Sequence, residues 1–142
     1  MKITDLNVLL YAINKNSPHH VTVHRWWKTA LAGDEPIGLA WIVVLGFLRL
    51  TTNPRVFPKP LTARQALEKV EAWLAHDNVR LLRETDDQWR ILRNLLEQSG
   101  LAGNLTTDAH LASLAIAHGA VLISCDTDFA RFEKLRWENP LD

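Results

Sequence analysis

Short apolar runs alternate along the chain with longer segments whose apolar residues recur at helical spacing. Because strands that are separated by helices favour βαβ units, this alternation predicts an α/β fold with a parallel sheet. The order of the strands in that sheet does not follow from the pattern. The predicted strands are Lys2–Thr4, Ile37–Ala40, Val79–Leu82 and 120–123, with a short edge strand at 135–137.

The longer segments predict helices, several of which have recognisable starts. Leu6–Ile13 begins after Asp5, which is a plausible N-cap. Ser17 and Pro18 are typical of the N-cap and the first helical position of a second helix. Further helices are predicted at 41–50, behind capping boxes at 62–65 and 85–88, and over 106–118 before Gly119, with loops through Pro60 and over 99–104.

Apolar residues at helical spacing predict which helix faces are buried in the core or against a partner. We interpret the tryptophans in these stripes in the same way. The stripes are Val23, Trp26, Trp27, Ala30 and Leu31; Ala66, Leu67, Val70, Trp73 and Leu74; and Trp89, Leu92, Leu95 and Leu96.

Composition narrows the class of protein. A chain of 142 residues that is 47% apolar fits one globular domain over 1–142. It has no apolar run long enough to span a membrane, and its N-terminus lacks the features of a signal peptide. The single cysteine, Cys125, precludes an internal disulfide and is expected of a cytoplasmic protein. The net charge of zero neither favours nor excludes a face that binds phosphate.

Four aspartates lie where predicted elements begin or end. Asp5 follows the first strand, and Asp126 and Asp128 follow the run at 120–123. Asp108 stands near the start of a helix, on an apolar face that we expect to be buried. Ligands of open α/β sheets bind beyond the carboxyl ends of the strands, so these carboxylates can meet there. They would repel one another unless a cation lay between them, and oxygen ligands suit Mg²⁺ or Mn²⁺.

Each of these residues also has an ordinary structural interpretation. Asp5 is a possible N-cap, Asp108 is placed to face a helix dipole, and Asp126 could close an Asx-turn. Ser124 could hold a carboxylate or a metal-bound water, or be a plain strand-end hydroxyl. His20 and His24 have the spacing of metal ligands on a helix, but no third ligand stands near them in the sequence.

Four sequence blocks together resemble the PIN-domain ribonucleases, in particular the VapC toxins of bacterial toxin–antitoxin pairs. The resemblance covers nearly the whole chain. The blocks are DLNVL at 5–9, Trp41 with FLRLTTNPRVF at 47–57, NLTTDAHLA at 104–112, and SCDTDF at 124–129.

The resemblance implies a three-layer α/β/α fold with a parallel sheet of about five strands. It also implies a Mg²⁺- or Mn²⁺-dependent endoribonuclease that forms a homodimer and is inhibited by a small VapB-like antitoxin. The family's acids fall at Asp5, Asp108 and Asp126, which we expect to bind the metal. A fourth often falls at Asp128, which would be a ligand or would orient water.

One position departs from the family pattern. Many members carry a glutamate three residues before the arginine matched here by Arg49, and this chain has Gly46 there. A second metal ion is therefore an open question. Gly46 could permit close packing or make room for RNA. Arg49, and more weakly Arg55, are candidate phosphate contacts, with structural ion pairs as the alternative.

Two other functions are consistent with these residues. The Gly46 departure leaves open a PIN fold that binds RNA or a protein but cleaves poorly. Another Mg²⁺-dependent phosphoryl-transfer enzyme is less favoured. A receiver domain needs an acidic pair after the first strand, where this chain has Asp5 alone, and phosphatases place an Asp-x-Asp nucleophile after the first strand rather than a late one.

Overall fold

The computed structural model describes residues 1–100 and 103–142. In these two ranges, five strands form one parallel sheet in the order β3-β2-β1-β4-β5. The predicted parallel sheet is thereby confirmed, and β5 lies at an edge as expected. The strands are β1 (Lys2–Thr4), β2 (Ile37–Ala40), β3 (Val79–Leu82), β4 (Val121–Ile123) and β5 (Trp137–Glu138).

Helices cover both faces of this sheet, which gives the three-layer α/β/α arrangement. The first helix packs against the second and the third, the third packs against the fourth, and the fifth packs against the sixth. The helices are α1 (Leu6–Ile13), α2 (His20–Ala32), α3 (Trp41–Thr51), α4 (Ala63–Leu74), α5 (Gln88–Ser99) and α6 (Thr106–Ala117), with 3₁₀ turns at Gly103–Leu105 and Thr127–Arg131. None of the helices in the described ranges is long and apolar enough to cross a membrane.

The core lies on both sides of the central strands. All residues of β2 are buried, as are Ile3 and Thr4 of β1, because strands of a parallel sheet are covered on both faces. Beneath α2, α3 and α4, the Trp73 ring packs edge-on against Trp27 and Phe47, with ring centroids 5.6 and 4.9 Å apart. This packing joins α2, α3 and α4 to one another within one helical layer.

Two predicted helix starts are wrong for different reasons. The Ser17 hydroxyl accepts from the N–H of His19 (3.1 Å) and closes a turn, so α2 begins at His20 rather than at Pro18. The capping box at 85–88 does not form, because Gln88 turns inward and its amide donates to the Ser113 hydroxyl of α6. By contrast, the box at 62–65 is present.

The remaining differences concern exposure and boundaries. Trp89 is 73% exposed and Leu67 is 48% exposed, so neither belongs to the core. The edge strand is shifted from 135–137 to Trp137–Glu138. The loop predicted at 99–104 includes residues 101–102, which lie outside the described residues. Gly119 ends α6 in the left-handed conformation (φ 61°), as its position predicts.

Candidate active site

The carboxyl ends of β1 and β4 form the crevice in which the predicted acids meet. From β1 the chain passes to β2 on one side, whereas β4 lies on the other side. This is the switch point at which open α/β sheets bind ligands. The N–H of Asp5 donates to the Ile123 carbonyl oxygen (2.8 Å), so the residues that follow both strands start side by side.

Asp5 is held by three hydrogen bonds. Its Oδ1 accepts from the N–H of Leu6 (2.7 Å), and its Oδ2 accepts from the Ser124 hydroxyl (2.7 Å) and from Asn7 Nδ2 (3.0 Å). Burial raises the pKa of the Asp5 carboxyl; the Ser124 hydrogen bond opposes this shift, and the charge of Asp126 adds to it. Asp5 thus caps α1 and also faces the acids that follow β4.

The pKa of Asp108 shows the influence of all three other aspartates of the site. Burial, followed by the charges of Asp5, Asp126 and Asp128, raises the pKa of the Asp108 carboxyl to about 6, and Arg131 opposes the shift. The first turn of α6 therefore brings Asp108 within electrostatic reach of the three other aspartates. Like charges that repel in this way favour a bound cation.

The two acids after β4 are arranged by a short 3₁₀ turn. Asp126 Oδ1 accepts from the N–H of Asp128 (2.9 Å), which is the Asx-turn of the structural interpretation. The N–H of Asp126 donates to the Ser124 hydroxyl (3.0 Å). Asp128 is exposed, and its Oδ1 accepts from Arg131 Nη2 (3.3 Å). Asp126 therefore lies closer to Asp5 along this hydrogen-bonded chain than Asp128 does.

A cavity of about 340 Å³ opens beside Asp5 and Asp108. Arg49 reaches this cavity from α3, whereas Arg55 lies exposed on the turn after α3 and outside it. No carboxylate within residues 1–100 and 103–142 is within ion-pair distance of either arginine. The cavity is lined by Asp5, Leu6, Ile42, Val43, Leu45, Gly46, Arg49, Thr107, Asp108 and Leu111.

Sequence comparison assigns the family. The PIN domain model matches residues 2–135. Ribonuclease VapC37 of Mycobacterium tuberculosis is 45% identical over 140 residues, which are 99% of this chain and 97% of the relative. The chain is a PIN-domain protein of the VapC family. Ribonuclease VapC33 of the same species is 42% identical over 141 residues, with 99% of each chain covered.

Solved structures of other family members share the fold of this PIN domain. The VapBC2 complex of Rickettsia felis, bound to a DNA fragment from its promoter, matches with a TM-score of 0.71 and 23% identity over 97% of both chains. VapC20 of M. tuberculosis matches with a TM-score of 0.67 and 18% identity over 96% of this chain and 99% of the other. At these identities the likeness concerns the fold.

Asn7 is a residue of the PIN domain site that the sequence interpretation missed. Its Nδ2 donates to Asp5 and to the Ser124 hydroxyl (3.1 Å), and its Oδ1 accepts from the N–H of Cys125 (3.1 Å). The signal in the sequence that could have identified it is a polar residue two positions after Asp5, in the first turn of α1. His20 and His24, by contrast, line a different cavity with Lys15, Lys28 and Lys69.

The carboxylates of this PIN domain site are suitable ligands for a hard divalent cation, although they are not close enough to one another to surround one. Carboxylate oxygens are the ligands that Mg²⁺ and Mn²⁺ prefer. Asp5, Asp126 and Asp128 all act on the pKa of Asp108, so a cation among them would relieve repulsion. In the described ranges, no three His, Cys, Asp or Glu side chains are grouped closely enough to hold a metal ion.

Proposed function

We propose that this PIN domain is the toxin of a type II toxin–antitoxin pair and an endoribonuclease that uses Mg²⁺ or Mn²⁺ to hydrolyse RNA phosphodiester bonds. The observation that carries the proposal is the meeting of the acids at the switch point. Asp5 lines one cavity with Asp108 and is joined to Asp126 through the Ser124 hydroxyl. Burial and the neighbouring charges raise the pKa of Asp108, which supports this. The nuclease assignment is supported by relatives named ribonucleases at 45% and 42% identity over nearly the whole chain.

Each acidic side chain has a distinct part in the proposed reaction. Asp5, Asp108 and Asp126 would hold the cation, which supplies charge neutralisation and lowers the pKa of water when it is bound. Asp128 keeps one carboxylate oxygen outside its hydrogen bond with Arg131 and would orient the attacking water or take its proton. Arg49, which lines the same cavity as Asp5 and Asp108, would bind the phosphate.

Single-stranded RNA and RNA loops are the proposed substrates, because side chains cannot read the bases in the deep groove of an RNA duplex. A VapB-like antitoxin is the proposed partner; the solved VapBC complexes share this fold over nearly the whole chain. A homodimer and a cytoplasmic location also belong to the proposal. Expression should arrest growth, and co-expression of the antitoxin should relieve the arrest.

The direct test compares the purified protein with Asp5→Asn on structured RNA in Mg²⁺ or Mn²⁺. Asp5→Asn keeps the size of the side chain and removes its charge, so we expect cleavage to be lost, whereas Asp34→Asn on the exposed turn before β2 should cleave normally. EDTA should abolish cleavage, and added Mn²⁺ should restore it. Equal cleavage by the wild-type protein and Asp5→Asn, persisting in EDTA, would contradict the proposal.

A second candidate is a PIN fold that binds RNA or a protein and cleaves poorly. Gly46 favours it, because the family glutamate is missing from the wall of the cavity. RNA binding that is independent of metal, with no turnover above that of Asp108→Asn, would support this candidate. Metal-dependent turnover that is lost in Asp108→Asn would eliminate it.

A further inference from the structure

The Asn7 amide joins the end of β1 to the end of β4. Both of its N–H groups and its oxygen are engaged, by Asp5 and Ser124 on one side and by the N–H of Cys125 on the other. The orientation of the amide is determined by its partners, because the flipped amide would set its oxygen against the Asp5 carboxylate and its NH₂ against an N–H donor. Asn7 is therefore a two-sided link.

The hydrogen bonds of Asn7 and Ser124 determine which carboxylate oxygen of Asp5 remains free to bind a cation. Two donors, Asn7 Nδ2 and the Ser124 hydroxyl, occupy Asp5 Oδ2, whereas Oδ1 accepts only from the N–H of Leu6 among the described residues. A carboxylate oxygen has two lone-pair positions. The free position of Asp5 therefore lies on Oδ1.

Ser124 is saturated in the same way. Its hydroxyl donates to Asp5 Oδ2 and accepts from Asn7 Nδ2 and from the N–H of Asp126. A hydroxyl has one donor and two acceptor positions, so none remains for water or a cation. Ser124 is fully buried, which leaves it no alternative partner in solvent.

We propose that Asn7 is a positioning residue of the metal site: together with Ser124 it locks Asp5 so that Oδ1 alone is offered to the cation. The inference rests on the proposed metal-dependent function. Turning the carboxylate would break its bonds with both Asn7 and Ser124, and hydrogen bonds to a charged group are stronger than neutral ones. Partners of this kind orient metal ligands, and their loss typically costs about 10- to 100-fold in metal affinity.

The alternative is that Asn7 only joins the ends of two strands. The Asn7→Asp variant distinguishes the two roles, because they predict opposite changes in Mn²⁺ affinity. The variant keeps the shape of the side chain and adds a carboxylate beside the site. If negative charge alone attracted the cation, Mn²⁺ would bind more tightly. If the amide positions Asp5, Mn²⁺ should bind about 10- to 100-fold more weakly, because the donor to Oδ2 is replaced by a group that repels it.

The experiment measures the binding of Mn²⁺ alone, without RNA, by calorimetry and by electron paramagnetic resonance. The wild-type protein, Asn7→Asp and the exposed control Asn16→Asp are compared, and Asn16→Asp should bind like the wild type. Melting temperatures establish that each variant is folded. Asn7→Ser serves as the second variant if Asn7→Asp does not fold, and it should also weaken Mn²⁺ binding.

A double-mutant cycle and a structure complete the test. Ser124→Ala should weaken Mn²⁺ binding, and the double variant with Asn7→Ser should lose less than the combined effects of the two single changes, since both act on one oxygen. In a crystal structure with Mn²⁺, Asp5 should ligate through Oδ1 while Oδ2 keeps both donors.

The outcomes distinguish this inference from the proposed function. Mn²⁺ binding by the wild type together with equal or tighter binding by Asn7→Asp overturns the positioning role and leaves the metal-dependent function standing. Ligation through Oδ2 overturns it as well. If the wild-type protein does not bind Mn²⁺, the metal-dependent function itself fails, and the positioning role falls with it.

Discussion

Leu6 Cδ2 lies 2.7 Å from the position that a Cβ atom would occupy on Gly46. Gly46 is buried in α3, and Leu6 of α1 fills the space where the family glutamate begins. Of the two interpretations of Gly46, the structure favours close packing between α1 and α3. The atom in the way is the end of a flexible side chain, so an acidic residue can be introduced if Leu6 turns aside.

We therefore expect Gly46→Glu to strengthen Mn²⁺ binding, by up to about tenfold, which corresponds to roughly 1.4 kcal/mol. The added carboxylate would belong to the lining of the cavity that Asp5 and Asp108 also line. Calorimetry gives both the affinity and the number of ions. Gly46→Gln is the matched control, since it has the same size and no charge. Identical binding by the Glu and Gln variants would show that this wall does not face the cation.

Asp108→Asn should stabilise the metal-free protein near neutral pH. The pKa of Asp108 is raised from 3.8 to about 6, so the folded state holds a proton that the unfolded state releases as the pH rises between these values. Ionised Asp108 therefore destabilises the fold above pH 6 and has no such effect below about pH 4. Because the group is partly exposed, screening reduces the effect to about 1 kcal/mol.

Urea unfolding in EDTA at pH 4 and pH 7.5 measures this difference. The stability gained by Asp108→Asn should appear at pH 7.5, slightly reduced there by the lost interaction of the carboxylate with the helix dipole, and should nearly vanish at pH 4, where the folded protein holds Asp108 neutral. Exposed Asp34→Asn, on the turn before β2, should show the same stability difference from the wild type at both values. A gain of equal size at pH 4 would mean that charge is not its cause.

Arg49→Ala should impair RNA cleavage far more than Arg55→Ala does. Arg49 lines the cavity with Asp5 and Asp108, whereas Arg55 lies outside it. A lost charge-assisted hydrogen bond is worth about 1.5–3 kcal/mol, which predicts a roughly 10- to 100-fold fall in kcat/KM. Steady-state cleavage of one RNA by both variants gives the comparison, and Mn²⁺ binding should be unchanged in each. Equal losses would remove Arg49 from the proposed phosphate contact.

Gly119→Ala should destabilise the fold by about 1 kcal/mol, because Gly119 has a φ of 61°, which a residue with a Cβ adopts at a cost. Gly33 follows α2 with a φ of −87° and has ordinary space around its Cβ position. Gly33→Ala is thus a control that should be neutral or slightly stabilising. Thermal or urea unfolding compares the two, and an equal loss in both would contradict the conformational argument.

The positions of the acids follow from sequence because strand ends in a parallel sheet share one edge. Asp5 and Asp126 could be brought to one edge by that rule alone, without the strand order, whereas Asp108 stands at the start of α6 and is assigned to the site by the apolar face of that helix. The capping box at 85–88 fails because a tertiary partner, Ser113, competes for Gln88. The role of Asn7 depends on distances to β4, more than 100 residues away in sequence, which local patterns do not contain.

The hydrogen bond from Ser124 to Asp5 spans 119 positions of the chain. A ribosome must therefore complete almost the whole polypeptide before β4 can dock beside β1 and the carboxylates can gather. Truncated products that stop before β4 retain Asp5 and Asp108 but have neither Asp126 nor the Ser124 hydroxyl. In this topology the carboxylates of the proposed site come together only after Asp126 has been synthesised, so a chain that ends earlier cannot form that arrangement.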